Sequence, residues 1–481
     1  MYFDAETRII EPAGYKALVI YQNWLDADGA LLILDWAKQG LPVFIMEHAA
    51  ERTPFNDGRD EELANTIAEL EALENVRRVE IYDDSEDFDY FKQIAEGYDD
   101  GLYEAMQEMG IRPYAEYIEP NHQLLTQSRE DADGNRYLYV YNYCPNDYHE
   151  NSSIESVRTE DHGTNIKTEI KVDGMYVPYE IDVWSGKVTE LADYTYEDGQ
   201  TVISVDLDYA NIALYAFEAV SEEKLHIVDT NAESAYAGEA GLVIRATESG
   251  DYYAQTSDGN THEYTVEVPE AYDITGWDLT VESWTAGEDK IYSEEELFGV
   301  KTVNTTVETI KTEINVQLET LDTWNNIPEI GQNVSGLGHY EATFNWDASA
   351  ADGAYLNFGD TLESSMKVWI NGQKVGGDVS QNPTKAPASI VEGYEGTEQY
   401  TGGVSWTKPI VDISEYLVDG ENTIVIEYSS ILSNYQLSRG TITERENASS
   451  GIGWWGQDIK YHDFGPMQAV IVPFVEETIE G

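Results

Sequence analysis

Ninety-two carboxylates, eight histidines and one cysteine are the groups in this 481-residue chain that could serve as acid, base, nucleophile or metal ligand. Paired carboxylates would suit glycoside hydrolysis, which sets two of them roughly 5–9 Å apart across a cleft. The acidic residues run through every segment, so spacing singles out no pair, and any one Asp or Glu is by default a solvated surface charge. No catalytic residue is assigned. A thiol nucleophile needs a tight turn that exposes it and a neighbouring base. Cys144, in "YNYCPND", follows a strand without a small-residue elbow and reads as a buried structural thiol. His48, His122, His149, His162, His226, His262, His339 and His462 show no H-E-x-x-H or other ligand spacing, so no metal site is assigned. The segment Asp131 to Asn135, "DADGN", alternates oxygen ligands as a calcium loop does, but the twelfth loop position is Asn142 and not a bidentate Glu. It reads as a hairpin turn, with calcium the only cation the composition leaves open. Neither G-x-G-x-x-G nor a Walker A pattern follows a strand, so no cofactor is expected.

Sugar recognition uses a different set of groups: aromatic faces packed on pyranose rings, with polar atoms at the edge. The stretch "SSGIGWWGQDIKYHDFGP" offers Trp454 and Trp455 between glycines, followed by Asp458, Tyr461 and His462. Adjacent residues of an extended chain point to opposite sides, so at most one of the two tryptophans faces a ligand while the other plugs a core. Trp406, in "TGGVSWTKP", is a second candidate. For these loop tryptophans, ligand contact and packing at a domain interface both stand. Trp369 alternates with Val368 and Ile370 next to an Asn-Gly turn and reads as structural.

The elements that would position these groups fall into two textures. From Tyr15 to about Gly110 apolar runs alternate with amphipathic stretches: "YKALVIY", a helix closed by Gly40, "LPVFIME", a helix over "DEELANTIAELEAL", then "VRRVEIY" and further helical segments. This βαβαβα pattern implies a short parallel α/β unit that looks incomplete on its N-terminal side, and the chain reads as part of something larger. From about His122 the runs are short, alternating and separated by Gly, Asp and Asn, as in an antiparallel β-sandwich. A second, larger β domain follows from Ser221; within it the stretch from Val307 to Trp324 fits helix or strand. The expected architecture is multidomain, α/β plus all-β. Its domains are residues 1–118, 119–220 and 221–481, with a jelly-roll core at about 325–475.

Lys and Arg number 27 against 92 Asp and Glu, a formal net charge of −65. Such a surface repels phosphate backbones and anionic lipid, which argues against nucleic-acid and membrane partners while leaving neutral sugars compatible. No apolar run reaches the ~20 residues that span a bilayer, and Met1-Tyr2-Phe3-Asp4 begins no signal peptide.

Four stretches resemble the C-terminal half of the α-L-rhamnosidases of glycoside hydrolase family 106, and more loosely the sugar-binding domain of family 2 enzymes. They are "DADGNRYLYVYNY", "YEIDVWSGKV", "LDTWNNIPEIGQNVSGLGHYEATF", and "LNFGDTLESSMKVWINGQKVGG" followed by "KPIVDISEYLVDGENTIVIEY". The last pair is the most specific, because Asn371-Gly372 and Asp419-Gly420 both read as I′ hairpin turns. The resemblance implies an amidotransferase-like, non-catalytic first domain and a galactose-binding-like jelly roll. It also implies that the catalytic barrel and its carboxylates lie upstream of this chain, and that the protein is secreted. The expected role is the non-catalytic, carbohydrate-associated part of a rhamnosidase-type hydrolase acting on plant or microbial polysaccharide. A stand-alone carbohydrate-binding or adhesion protein, or a scaffold with no ligand, is the alternative.

Overall fold

A computed structural model describes residues 1–12, 14–54, 57–79, 101–118, 124–142, 165–183, 187–208, 211–359, 364, 366–376, 404, 409–449 and 456–480. The chain forms two compact units, Met1–His122 and Gln123–Gly481.

In the first unit the strands Leu18–Ile20, Val43–Met46 and Val76–Val79 pair in parallel, in that order. The helices Ala27–Lys38 and Asp60–Glu71 connect them. Asp26 starts the first helix by accepting from the Asp28 and Gly29 amides, and Gly40, at φ 106°, ends the turn after it. Val43, Phe44 and Ile45 are fully buried, as a strand covered on both faces requires. This is the parallel α/β unit implied by the sequence. Of the further helical segments expected before Gly110, Leu102–Glu108 is present, and residues 80–100 lie outside the described residues.

The named strand pairs of the second unit are all antiparallel. Arg136–Asn142, Tyr176–Ile181 and Ile212–Ala219 form the middle of one sheet, and Ile166–Asp173 pairs with Gln200–Leu207 in a second. Beyond these lie two six-stranded sheets. One runs through Gly241–Ala246, Val470–Glu480, Gly353–Asn357 and Ile410–Asp412; the other through Trp277–Leu297, Gly336–Trp346, Gly420–Ser429 and Met366–Ile370. Alternation along Gly336–Trp346 and Gly420–Ser429 turns Tyr340, Phe344, Ile424, Ile426 and Tyr428 inward. There they meet Leu356, Val411 and Ile471 from the facing sheet, so the core is a sandwich of two antiparallel layers. Trp324 is buried at its end and donates from Nε1 to the Tyr340 hydroxyl at 2.8 Å.

Three local expectations are refined. The stretch that fitted helix or strand is strand from Val307 to Leu318: Trp277–Leu297 and Val300–Leu318 form one long hairpin, and a 3-10 turn, Trp324–Asn326, follows. Asn371-Gly372 is the I′ turn expected, with φ 51° and 75° and Ile370 facing Gln373. Asp419-Gly420 is not, since only Gly420 has positive φ and the segment enters Gly420–Ser429 without closing a hairpin. The two sites are nevertheless joined, because Asn371 donates to Oδ1 of the buried Asn422 at 2.7 Å. Asp131 is a hairpin residue whose Oδ1 accepts from the Asp133 and Asn135 amides at 2.9 Å each. Trp369 sits in its strand half-buried on the face opposite Val368 and Ile370. No helix among the described residues is long and apolar enough to cross a membrane.

Candidate functional site

Trp406, Trp454 and Trp455 lie outside the described residues, as does Cys144. Asp458 falls in the strand Gly456–Ile459, but its side chain is outside the described set. Tyr461 is half-buried and begins a segment fixed to the jelly-roll core. Asn434 brackets the His462 backbone, donating to its carbonyl at 2.8 Å and accepting from its amide at 2.9 Å. The His462 ring stacks on Phe464 at 5.6 Å, and Asn325 donates to Asp463. The structure brings Tyr461 and His462 to one place without showing the tryptophans that were to join them.

A different site emerges from the sheet that contains Val470–Glu480. Arg245 and Glu476 are direct cross-strand partners, and so are Tyr355 and Asp412. Period-two alternation sends Leu356, Val411 and Ile471 into the sandwich core. Tyr355, Asp412, Phe474 and Glu476 are thereby placed on the other face. Over that face Arg245 reaches across strands, its side chain only 14% exposed. Its guanidinium donates to Glu476 Oε1 through Nε at 2.9 Å and Nη2 at 2.7 Å, to Tyr355 Oη at 2.7 Å and to Asp412 Oδ2 at 3.1 Å. The Phe474 ring lies 3.8 Å from the guanidinium carbon, a cation–π contact.

Burial opposes the charge of Arg245, but Tyr355, Asp412 and Glu476 outweigh it and hold the guanidinium more firmly protonated than usual. Burial raises the Tyr355 phenol, and burial together with Glu476 pushes Tyr236 up to about 12, so both phenols keep their protons at neutral pH. Asp412 is oriented from its other side, where Oδ1 accepts from the Ser414 amide at 3.0 Å and its hydroxyl at 2.6 Å.

These groups line a cavity of about 620 Å³, and its opposite wall comes from the first β-sandwich: Glu180, Ile181, Thr189, Ala213 and Tyr215. Among the described residues seven carboxylates line it, from Glu180, Asp182, Asp206, Asp352, Asp412, Glu415 and Glu476, with the two cations Lys187 and Arg245. Chemically this is an array of carboxylate acceptors around a guanidinium that is stacked on the buried Phe474 ring. It can bind hydroxyl groups, and two of its carboxylates, Asp412 and Glu476, accept from one shared guanidinium. Sequence reading missed it because Arg245 shares no segment with Tyr355, Asp412 or Glu476; the one local signal is an arginine in the apolar strand "GLVIRA".

No protein-family model matches this sequence, and no curated protein matches it. Among solved structures the chain is similar to a rhamnosidase from Novosphingobium sp. PP1Y, with a TM-score of 0.52 at 13% sequence identity. That match covers 97% of this chain and 34% of the rhamnosidase chain. A beta-glycosidase from Bacteroides vulgatus aligns over 44% of this chain and 20% of its own, at 14% identity, but its TM-score of 0.18 carries no weight for the fold. The chain therefore spans about one third of the length of the rhamnosidase it matches, and its fold is similar to that part of the rhamnosidase.

Proposed function

We propose that this chain is the carbohydrate-associated, non-catalytic part of an α-L-rhamnosidase-type glycoside hydrolase that acts on plant or microbial polysaccharide outside the cell. The observation that carries this reading is the fold likeness along 97% of the chain to part of a rhamnosidase. The four sequence stretches similar to family 106 enzymes support it independently. In this reading the acid and base that cleave the glycosidic bond belong to a separate catalytic barrel. The β domains brace that barrel and hold glycan. Asp412 and Glu476 agree with a binding role, since both are held in ion pairs with Arg245.

The test is a glycan-array screen of the purified 481-residue chain beside a hydrolysis assay with an aryl α-L-rhamnoside. Glycan binding without turnover is the expected result. Turnover that a single carboxylate substitution abolishes would overturn the non-catalytic reading.

A further inference from the structure

We propose that the cavity around Arg245 is a binding site for the end of a neutral glycan and discriminates against glycans that carry uronate groups. This deepens the carbohydrate-associated reading above and rests on it.

Size is the first support. At about 620 Å³ the cavity lies within the roughly 300–1,000 Å³ typical of small-ligand sites, enough for a short oligosaccharide end but not a long chain. Construction is the second. A nearly buried guanidinium needs one carboxylate to balance it, yet Arg245 has two, each with a further partner: Tyr236 for Glu476 and Ser414 for Asp412. The result is a rigid array with more acceptor capacity than one arginine uses. Hydroxyls of a pyranose are donors that such acceptors can take, and preorganised acceptors lose little entropy on binding them.

Charge decides the ligand class. Among the described lining residues seven carboxylates stand against two cations, a formal excess of five negative charges. An anionic sugar entering it meets like charges in a partly desolvated space, whereas a neutral sugar gains the hydrogen bonds without that repulsion. Tyr355, whose hydroxyl oxygen accepts from Arg245, keeps its own proton to donate to a ring or hydroxyl oxygen.

The experiment measures binding of galactose-, rhamnose- and galacturonate-terminated oligosaccharides to the full chain by calorimetry, with two variants. Ile410→Trp fills the mouth from a rim position that is 46% exposed, so folding is not at stake. Asp412→Asn keeps the side-chain shape and the Oδ1 acceptor for Ser414. Phe298→Asn, at a hairpin tip 98% exposed, serves as the control. The proposal expects a neutral-terminated glycan to bind the wild type and the control equally, at least tenfold more weakly to each cavity variant, and the galacturonate counterpart at least tenfold more weakly to the wild type. If Asp412→Asn does not fold, Ile410→Trp decides alone. Neutral-glycan binding unchanged in Ile410→Trp overturns the site while leaving a carbohydrate-associated chain. Equal or tighter galacturonate binding that Ile410→Trp abolishes overturns the ligand class. Binding of no glycan by the wild type overturns both readings.

Discussion

Replacing Arg245 with Met keeps most of the side-chain volume over Phe474 but removes a charge that three groups share. Four hydrogen bonds disappear, two to Glu476 and one each to Tyr355 and Asp412, together with the cation–π contact. The larger cost comes from what remains: Asp412 and Glu476, with side chains 28% and 23% exposed, are left in the same cavity without their counterion. Removing one partner of such a buried network typically costs about 3–5 kcal/mol. For the unit of about 360 residues, an unfolding entropy of roughly 2.1 cal/mol/K per residue gives about 0.75 kcal/mol/K. The melting temperature measured by calorimetry at neutral pH should thus fall by about 4–7 °C. The combined Arg245→Met, Asp412→Asn, Glu476→Gln variant removes the orphaned charges and should recover most of the loss. A single variant melting within 1 °C of the wild type, or a triple variant less stable than the single, would refute the network argument.

Three further outcomes follow from separate features. Burial, reinforced by Asp229 and Glu169, raises the Asp193 carboxyl above its ordinary 3.8, so the folded state holds that proton more tightly than the unfolded one. The penalty for ionised Asp193 is complete above the raised value and vanishes below the ordinary one; Asp193→Asn should raise the melting temperature at pH 7–8 and leave it unchanged near pH 3. Gly336 has φ 151°, and a Cβ there would lie 2.0 Å from the Glu282 carbonyl oxygen, a backbone atom that cannot step aside. Gly336→Ala should therefore cost at least about 2–3 kcal/mol in urea unfolding, and a loss below 1 kcal/mol would contradict the pairing of Gly336 with Ser283. Phe298 occupies the first position of an I′ turn at φ 51°, fully in solvent, where Asn is more at ease; Phe298→Asn should stabilise by roughly 0.5–1 kcal/mol in the same assay.

Where a local rule and the tertiary fold agreed, the architecture could be read in advance. Gly40 stops a helix because only glycine takes φ 106° without strain, and Asn371-Gly372 reverses a chain for the same reason at φ 51° and 75°. "GLGHYEATFNW" alternates so regularly that its inward set follows from period two alone. The stretch from Val307 to Trp324, whose first part lies in the strand Val300–Leu318, was ambiguous because threonine and valine favour strand while glutamate and lysine permit helix. What resolves it is pairing with Trp277–Leu297, a partner that local propensity does not encode. Asp419-Gly420 misled for the converse reason: the dipeptide is good turn chemistry, but the strand before it, Ile410–Asp412, pairs with Gly353–Asn357 and not with the strand that follows.

The Arg245 cavity lay further from reach, and the cause is geometric. Its residues are drawn from strands that become neighbours only when the chain's final strand, Val470–Glu480, inserts between Gly241–Ala246 and Gly353–Asn357. That insertion puts Glu476 against Arg245, 231 residues away in sequence, and brings Asp412 within reach from 167 residues away. A composition with 92 acidic residues hides such a partnership, because each carboxylate looks like all the others until a cation selects it. The scarce cations therefore carry more information than the abundant anions. With 27 Lys and Arg in the whole chain, one placed in an apolar strand and 14% exposed has been spent on a particular location. A surface needing only solubility would have left that arginine in water, where it costs nothing to hydrate. Its burial beside two carboxylates and over an aromatic ring is the reason to look for a ligand at this cavity before the exposed acidic surface.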